Sequence, residues 1–296
     1  MMRGLHTPVR AIRRRVFKEV AQLGFKADAD TLLADMEAIP YAIVNEDSEK
    51  YRESVYRARA IVRERLRLAM GLSLRPENKP VHLTAGVEAS NISEKYYEPP
   101  LMQVIPSACE SCEENKYEVS NICKGCLAHP CQEVCPKDAI SMVNGRSYID
   151  QEKCIKCGKC KSVCPYDAIA KKERPCQKAC GVNAIKSDKM GRAYIDNEKC
   201  VSCGMCMVSC PFGAISDKSQ IFQLARALSE GENVIAEIAP AFVGQFGDNI
   251  TPRNIKAALR ELGFSEVYEV ALGADIGAIA EAVSYTHLTL PTILRV

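Results

Sequence analysis

All sixteen cysteines of this 296-residue chain lie between Cys109 and Cys210. A chain this rich in thiols either staples itself with disulfides or binds metal, and the compartment decides which. The start of the chain has no apolar core of the secretory type and no twin-arginine signal followed by one. No uninterrupted apolar run approaches the roughly 20 residues that span a bilayer, so no membrane insertion is expected. The expectation is a cytoplasmic protein whose thiols stay reduced, which leaves metal as the main use of the cysteines. Arg3, Arg10, Arg13, Arg14, Arg15 and Lys18 read as part of an amphipathic helix rather than a transit peptide. A net charge of +2 points to neither nucleic acid nor an acidic partner.

The spacing makes the metal reading specific. "CIKCGKCKSVCP" at 154–165 and "CVSCGMCMVSCP" at 200–211 both read C-x2-C-x2-C-x3-C-P, the bacterial ferredoxin run that holds iron–sulfur cubanes. Two-residue gaps turn successive sulfurs inward around one cluster corner. Gly158 and Gly204 let the backbone bend there without a Cβ. The cysteine before proline points away and serves the neighbouring cluster. "CKGCLAHPCQEVCP" at 123–136 is the same device with two extra residues before its third cysteine. By the exchange rule, Cys123, Cys126, Cys131 and Cys164 form one ligand set, and Cys154, Cys157, Cys160 and Cys135 a second. Cys200, Cys203, Cys206 and Cys180 form a third.

"ERPCQKACGVNAI" at 173–185 is a half-copy of "HPCQEVCPKDAI", without the preceding cysteine pair. It leaves Cys176 and Cys210 needing two thiolates, and Cys109 and Cys112 are the pair still unassigned. Four 4Fe–4S clusters are therefore expected, with three clusters as the alternative and a structural or zinc role for the rest. A zinc ribbon from Cys109, Cys112, Cys123 and Cys126 competes, but it orphans Cys131. His129, between cluster cysteines, reads as a loop residue. Lys156, Lys159 and Lys161 suit either the docking of an acidic electron carrier or plain solvation.

The expected fold class is α+β. Residues 1–100 read as mainly helical, with a helix from Thr7-Pro8 to Gly24 and another over about Ser48–Met70. The arginines of the second, Arg57, Arg59, Arg63, Arg65 and Arg67, read as a solvated face. Residues 101–217 form an iron–sulfur region with an internal duplication, because 144–169 matches 190–215. Asn144-Gly145 signals a tight hairpin. Residues 218–282 add a helix near 218–228, a strand in "NVIAEIAPAF", a helix opened by Thr251-Pro252 and a strand at 266–271, the start of an α/β layer. The tail 283–296 reads as adapter-derived, since one codon choice for Val283–Thr292 reproduces a sequencing adapter. The natural chain is then expected to continue past Ala282.

The cysteine block resembles polyferredoxins and the multi-cluster subunits of larger oxidoreductases. "VIAEIAPAFVGQFGDNITPRNIKAALRELGFSEVYEVALGADIGAIAEA" resembles the opening of the catalytic domain of iron-only (FeFe) hydrogenases, with "IAPA", "LRELGF" and "ADI" in that family's order. "SNICKGCLAHPCQEVCPKDAI" is similar to the cluster domain of a monomeric branch of the same family. The resemblance implies a duplicated ferredoxin-like 4Fe–4S domain followed by the start of an α/β catalytic domain. It implies reversible proton reduction and dihydrogen oxidation with ferredoxin or a similar small electron carrier, in an anaerobic cytoplasm. The family's six-iron active-site cluster is expected only in an untruncated protein. No cysteine follows Cys210, so no catalytic ligand carries over onto this chain. A non-enzymatic electron-transfer subunit and a hydrogenase-like redox sensor stay open as alternatives.

Overall fold

The computed structural model describes residues 6–26, 30–45, 52–92, 98–247 and 249–287, with side chains to residue 282. The fold is mixed α+β. Helix α1 (Pro8–Lys26) begins where the sequence places it, with the Arg10 amide donating to Thr7 Oγ1 at 3.2 Å. Gly24 does not end it. The helix runs on, and Gly24 is buried at a crossing so close that a Cβ there would stand 2.8 Å from the Ala225 Cβ.

Helix α2 (Leu32–Ile43) was not foreseen, and helix α3 (Val55–Ala69) covers the later part of the predicted Ser48–Met70 segment. Residues 48–51 of that prediction lie outside the described residues. Val16, Val20, Leu23, Met36, Val62 and Leu66 build the first core from these three helices. Burial of such aliphatic side chains contributes about 1.5–3 kcal/mol each against full exposure. A short helix, α4 (Val87–Ser90), follows, held by Ser90 Oγ donating to the Met70 carbonyl at 2.8 Å.

The reading of the α3 arginines as a solvated face is corrected. Arg65 and Arg67 are only 2% and 6% exposed. Their guanidiniums donate to loop carbonyls, Arg65 to Gly213 and Arg67 to Ser73 at 2.9 Å, Leu83 at 2.6 Å and Ala85 at 2.8 Å. Arginine's planar fork supplies several donors at once, so a charge run on a helix can clamp irregular backbone instead of facing water.

In the cysteine region, β1 (Met102–Val104) precedes β2 (Lys116–Val119), the short helix α5 (Pro130–Glu133), and the hairpin of β3 (Ile140–Val143) and β4 (Arg146–Ile149). Asn144 and Gly145, at φ of 50° and 73°, make the predicted two-residue turn. Helix α6 (Lys159–Ser162) and β5 (Ile169–Lys172) follow, and β5 returns antiparallel to β2 with Val119 opposite Ile169. Then come α7 (Pro175–Lys178), a second hairpin of β6 (Ile185–Ser187) and β7 (Ala193–Ile195), α8 (Met205–Ser209) and β8 (Ile215–Asp217). Strand β8 pairs antiparallel with β1, Val104 opposite Ile215, so the strand before the cysteines is tied to the strand after them.

Helix α9 (Ile221–Ser229) lays Phe222 and Ala225 against α1. Strand β9 (Ile235–Ile238), α10 (Pro252–Glu261) and β10 (Glu266–Glu269) form a β-α-β unit, the two strands parallel with Ala236 opposite Val267. Thr251 opens α10 with a capping box to Asn254, as the Thr-Pro signal predicts. Helix α11 (Val270–His287) ends the described chain and continues past Ala282. Residues 288–296, most of the segment read as adapter-derived, lie outside the described residues.

Candidate functional site

Each C-x2-C-x2-C run folds as a loop that enters a single helical turn. Gly158 and Gly204 take φ of 81° and 75°, and Cys160 and Cys206 follow, buried in the turn behind them. The bend is required at Gly158, where a Cβ would come within 2.6 Å of the Tyr117 hydroxyl.

Two cavities border the β3–β4 hairpin, one against Ile140 and Ile149 and the other against Ser147. Cys135, Cys154, Cys157 and Cys160 line the first, floored by Ile140 and Ile149. Cys123, Cys126, Cys131 and Cys164 line the second, beside Val119 and Ile169. These are the residues of the first two predicted ligand sets. Cys131 and Cys160 are buried among Tyr117, Ile140, Ile149 and Ile169, and Cys157 is exposed. His129 sits at the N-terminus of α5 with φ of 40°, in a loop as expected.

The second half gathers its thiols against the β6–β7 hairpin. Cys176 and Cys206 are buried with Ile185, Ile195 and Ile215, and Cys109, Cys180 and Cys200 pack on them. Cys210 is buried beside Ile105 and Ala108, where Cys109 also packs, so Cys109 touches the surroundings of both Cys176 and Cys210. Cys112 is close enough that the charges of Cys210 and Cys109 add to the effect of burial in raising its pKa. Cys203 stays exposed.

Burial first, then the nearby Cys210, pushes the Cys176 thiol up to about 12, and Arg174 works in the opposite direction. Burial raises Cys206 to about 11. Burial also raises Cys160, with Cys154, Cys157 and Cys135 adding to it. Cys123 is lowered, chiefly by a hydrogen bond from the Ser147 backbone. A thiolate in the buried positions needs compensating positive charge or donors.

Some of those donors are backbone amides. Ala139 donates to Cys135 Sγ at 3.3 Å, Ala184 to Cys180 Sγ at 3.2 Å and Ala214 to Cys210 Sγ at 3.4 Å. Each alanine follows its cysteine by four residues and is almost fully buried. The recurring Cys-x3-Ala-Ile was a visible signal for these bonds. Arg174 had none. It is 2% exposed and donates to the carbonyls of Cys112, Lys186 (3.3 Å) and Gly191 (2.8 Å). Arg52 likewise donates to the carbonyls of Ala108 (3.3 Å) and Phe212 (2.6 Å), joining the Cys109 and Cys210 loops.

The expected cofactor inventory is corrected. Among the described residues, no group of three or more His, Cys, Asp or Glu side chains is placed to hold a metal ion, against the four 4Fe–4S clusters, or three, counted from spacing. The thiols of the first two sets stand around cavity walls and do not close on a common point. Spacing specifies which sulfurs share a cavity, but not how closely they converge.

Comparison with known proteins supplies the class. The profile "4Fe-4S binding domain" matches residues 193–216, and "LdpA Fe-S cluster-binding domain" matches residues 123–174. "Iron only hydrogenase large subunit, C-terminal domain" matches residues 232–292. The matched segments mark a protein with iron–sulfur-binding domains followed by a segment similar to the iron-only hydrogenase large subunit.

A 7Fe ferredoxin of Hydrogenibacillus schlegelii is 43% identical over 53 residues, 18% of this chain and 68% of the relative. The chain belongs to the ferredoxin family. An uncharacterized ferredoxin of Methanocaldococcus jannaschii is 33% identical over 99 residues, 27% of this chain and 63% of the relative. The electron transport protein HydN of Escherichia coli (strain K12) is 37% identical over 71 residues, 24% of this chain and 41% of the relative. The chain thus spans less than two thirds of the length of several curated relatives it matches. Among the described residues, no helix is long and apolar enough to cross a membrane.

Proposed function

We propose that this chain is the electron-transfer portion of an iron-only hydrogenase, serving reversible proton reduction and dihydrogen oxidation with a small soluble electron carrier such as ferredoxin. The observation that carries this reading is the order of segments in one chain, iron–sulfur-binding matches at 123–174 and 193–216 and then the hydrogenase match at 232–292. The domain layout follows, with a helical region at 1–100, a duplicated ferredoxin-like region at 101–217 and the start of a catalytic domain from 218.

In this reading the cysteines that share a cavity or a packed cluster are the iron–sulfur ligands. The cavity-lining sets and the group of Cys109, Cys112, Cys176 and Cys210 support it. Iron–sulfur centres supply one-electron chemistry at low potential. The chain's own part is to hold the sulfurs, to shield them with Ile140, Ile149, Ile185 and Ile195, and to offset negative charge with the amides of Ala139, Ala184 and Ala214 and the Arg174 guanidinium.

The test is anaerobic reconstitution, reading iron and acid-labile sulfide together with electron paramagnetic resonance of the dithionite-reduced protein. Comparable iron and sulfide with low-potential signals support the reading. Colourless protein that retains zinc overturns it. Hydrogen-dependent viologen reduction by protein expressed from the genomic reading frame tests the hydrogenase assignment. A second reading, an electron-transfer subunit without hydrogen chemistry, is favoured by the likeness to the electron transport protein HydN. It predicts the same iron and sulfide with no hydrogen uptake.

A further inference from the structure

The two C-x2-C-x2-C runs share a backbone course but present opposite surfaces. Around the first, Lys137, Lys156, Lys159 and Lys161 are all exposed. Lys137 and Lys159 stand at the mouth of the cavity that holds Cys157, itself exposed, beside Ile155 at 56% exposure. Among the described residues these four lysines form no ion pair, whereas neighbouring Lys153 is paired with Asp150 at 3.8 Å. At the matching positions of the second run stand Val182, Ser202, Met205 and Met207. Met205 and Met207 are half-buried, and Met207 lines a cavity shared with α1 and the loop after β9.

We infer that the surface formed by Lys137, Lys156, Lys159 and Lys161 around Cys157 is the docking site for an acidic one-electron carrier protein. This deepens the electron-transfer reading above and rests on it. Lys137 and Lys159 at the cavity with the exposed Cys157 and Ile155, and Lys156 and Lys161 exposed on the same run, give an apolar centre with unpaired cations beside it. An acidic partner is steered to such a patch by long-range attraction, and the short contact distance at its centre suits electron transfer. An iron–sulfur centre held by Cys135, Cys154, Cys157 and Cys160 would take up the one electron that the reduced carrier gives up, and the carrier would leave oxidised by one electron. The second run carries methionines where the first carries lysines, so it lacks the charge that steers an acidic partner.

The test uses the full, anaerobically reconstituted chain and its Lys137→Gln/Lys156→Gln/Lys159→Gln/Lys161→Gln variant. Each is mixed with reduced acidic ferredoxin as the protein carrier and, separately, with dithionite as a small reductant. The variant's second-order rate with ferredoxin at low salt falls about tenfold or more and loses most of its salt dependence, while its rate with dithionite is unchanged. A Lys18→Gln/Lys79→Gln/Lys189→Gln control, at exposed lysines outside the cysteine runs, keeps both rates. The docking site is overturned if the variant matches the wild type with ferredoxin, or if both reductants slow alike. It is also overturned if the wild type takes electrons from dithionite but not from ferredoxin. Failure with both reductants would instead sink the iron–sulfur reading itself.

Discussion

The guanidinium of Arg174 grips the carbonyl oxygen of Cys112 twice, from Nε at 3.0 Å and from Nη2 at 2.9 Å. This bond crosses 62 residues of sequence and fastens the isolated Cys109/Cys112 pair to the half-motif that lacks one. The same side chain reaches Lys186 in β6 and Gly191 in the turn before β7, so one buried cation ties the Cys112 loop to the second hairpin.

Replacing Arg174 by methionine leaves those carbonyls without donors in a buried site. Each unsatisfied buried polar group costs about 1–3 kcal/mol, so Arg174→Met is expected to lose about 3 kcal/mol or more in urea unfolding. Arg174→Lys keeps the charge but cannot span three carbonyls, and should recover less than half of the loss.

Stability of the iron-free protein falls at high pH. Burial, then Cys210, holds the Cys176 thiol up to about 12, against an ordinary value of 9.0. Between those values the unfolded chain has released a proton that the folded chain keeps. Unfolding is therefore favoured increasingly as pH rises above about 9. Urea midpoints at pH 8, 9 and 10 should decline, and Cys176→Ala should flatten the decline. A midpoint that rises over this range contradicts the buried placement of Cys176.

Gly158 and Tyr117 are coupled. A Cβ at residue 158 meets the Tyr117 hydroxyl at 2.6 Å, on a backbone that already needs positive φ. Gly158→Ala should cost about 1–3 kcal/mol. Tyr117→Phe, which deletes the obstructing oxygen, should restore part of it, giving a coupling of about 0.5 kcal/mol or more in a double-mutant cycle. Strict additivity would place the clash elsewhere.

The α1–α9 crossing depends on Gly24. Its Cβ would meet both the Ala225 Cβ and the Phe222 carbonyl at 2.8 Å, so Gly24→Ala wedges the helices apart. A loss of about 1–3 kcal/mol is expected in thermal unfolding. Ala225→Gly should recover little, because the backbone carbonyl still blocks the way.

Much of the local structure was legible in advance because its causes are local. The Thr7-Pro8 and Thr251-Pro252 helix starts, the Asn144-Gly145 turn and the bends at Gly158 and Gly204 follow from capping, ring geometry and the missing Cβ of glycine. The fold class was legible to the level of mixed α+β. Helix α2 escaped notice because Pro40 and the short span of Leu32–Ile43 obscure its period.

The errors have a common origin. Arg65 and Arg67 looked like surface charges because hydropathy ranks arginine as polar, yet their destination is set by loop carbonyls far along the chain. The cluster count failed for a related reason. It assumed that thiols at the right spacing also converge, and convergence is a property of the packed loops.

By itself the sequence determined which sulfurs share a loop, where helices and turns begin, and that iron–sulfur chemistry is what the cysteine spacing suits, since these depend on neighbours within a few residues. Only the tertiary structure decided how close the thiols come, that Arg65, Arg67 and Arg174 are buried against loop carbonyls, and which lysines face water. Those outcomes depend on packing and buried arginine–carbonyl bonds between distant segments, which no local spacing encodes.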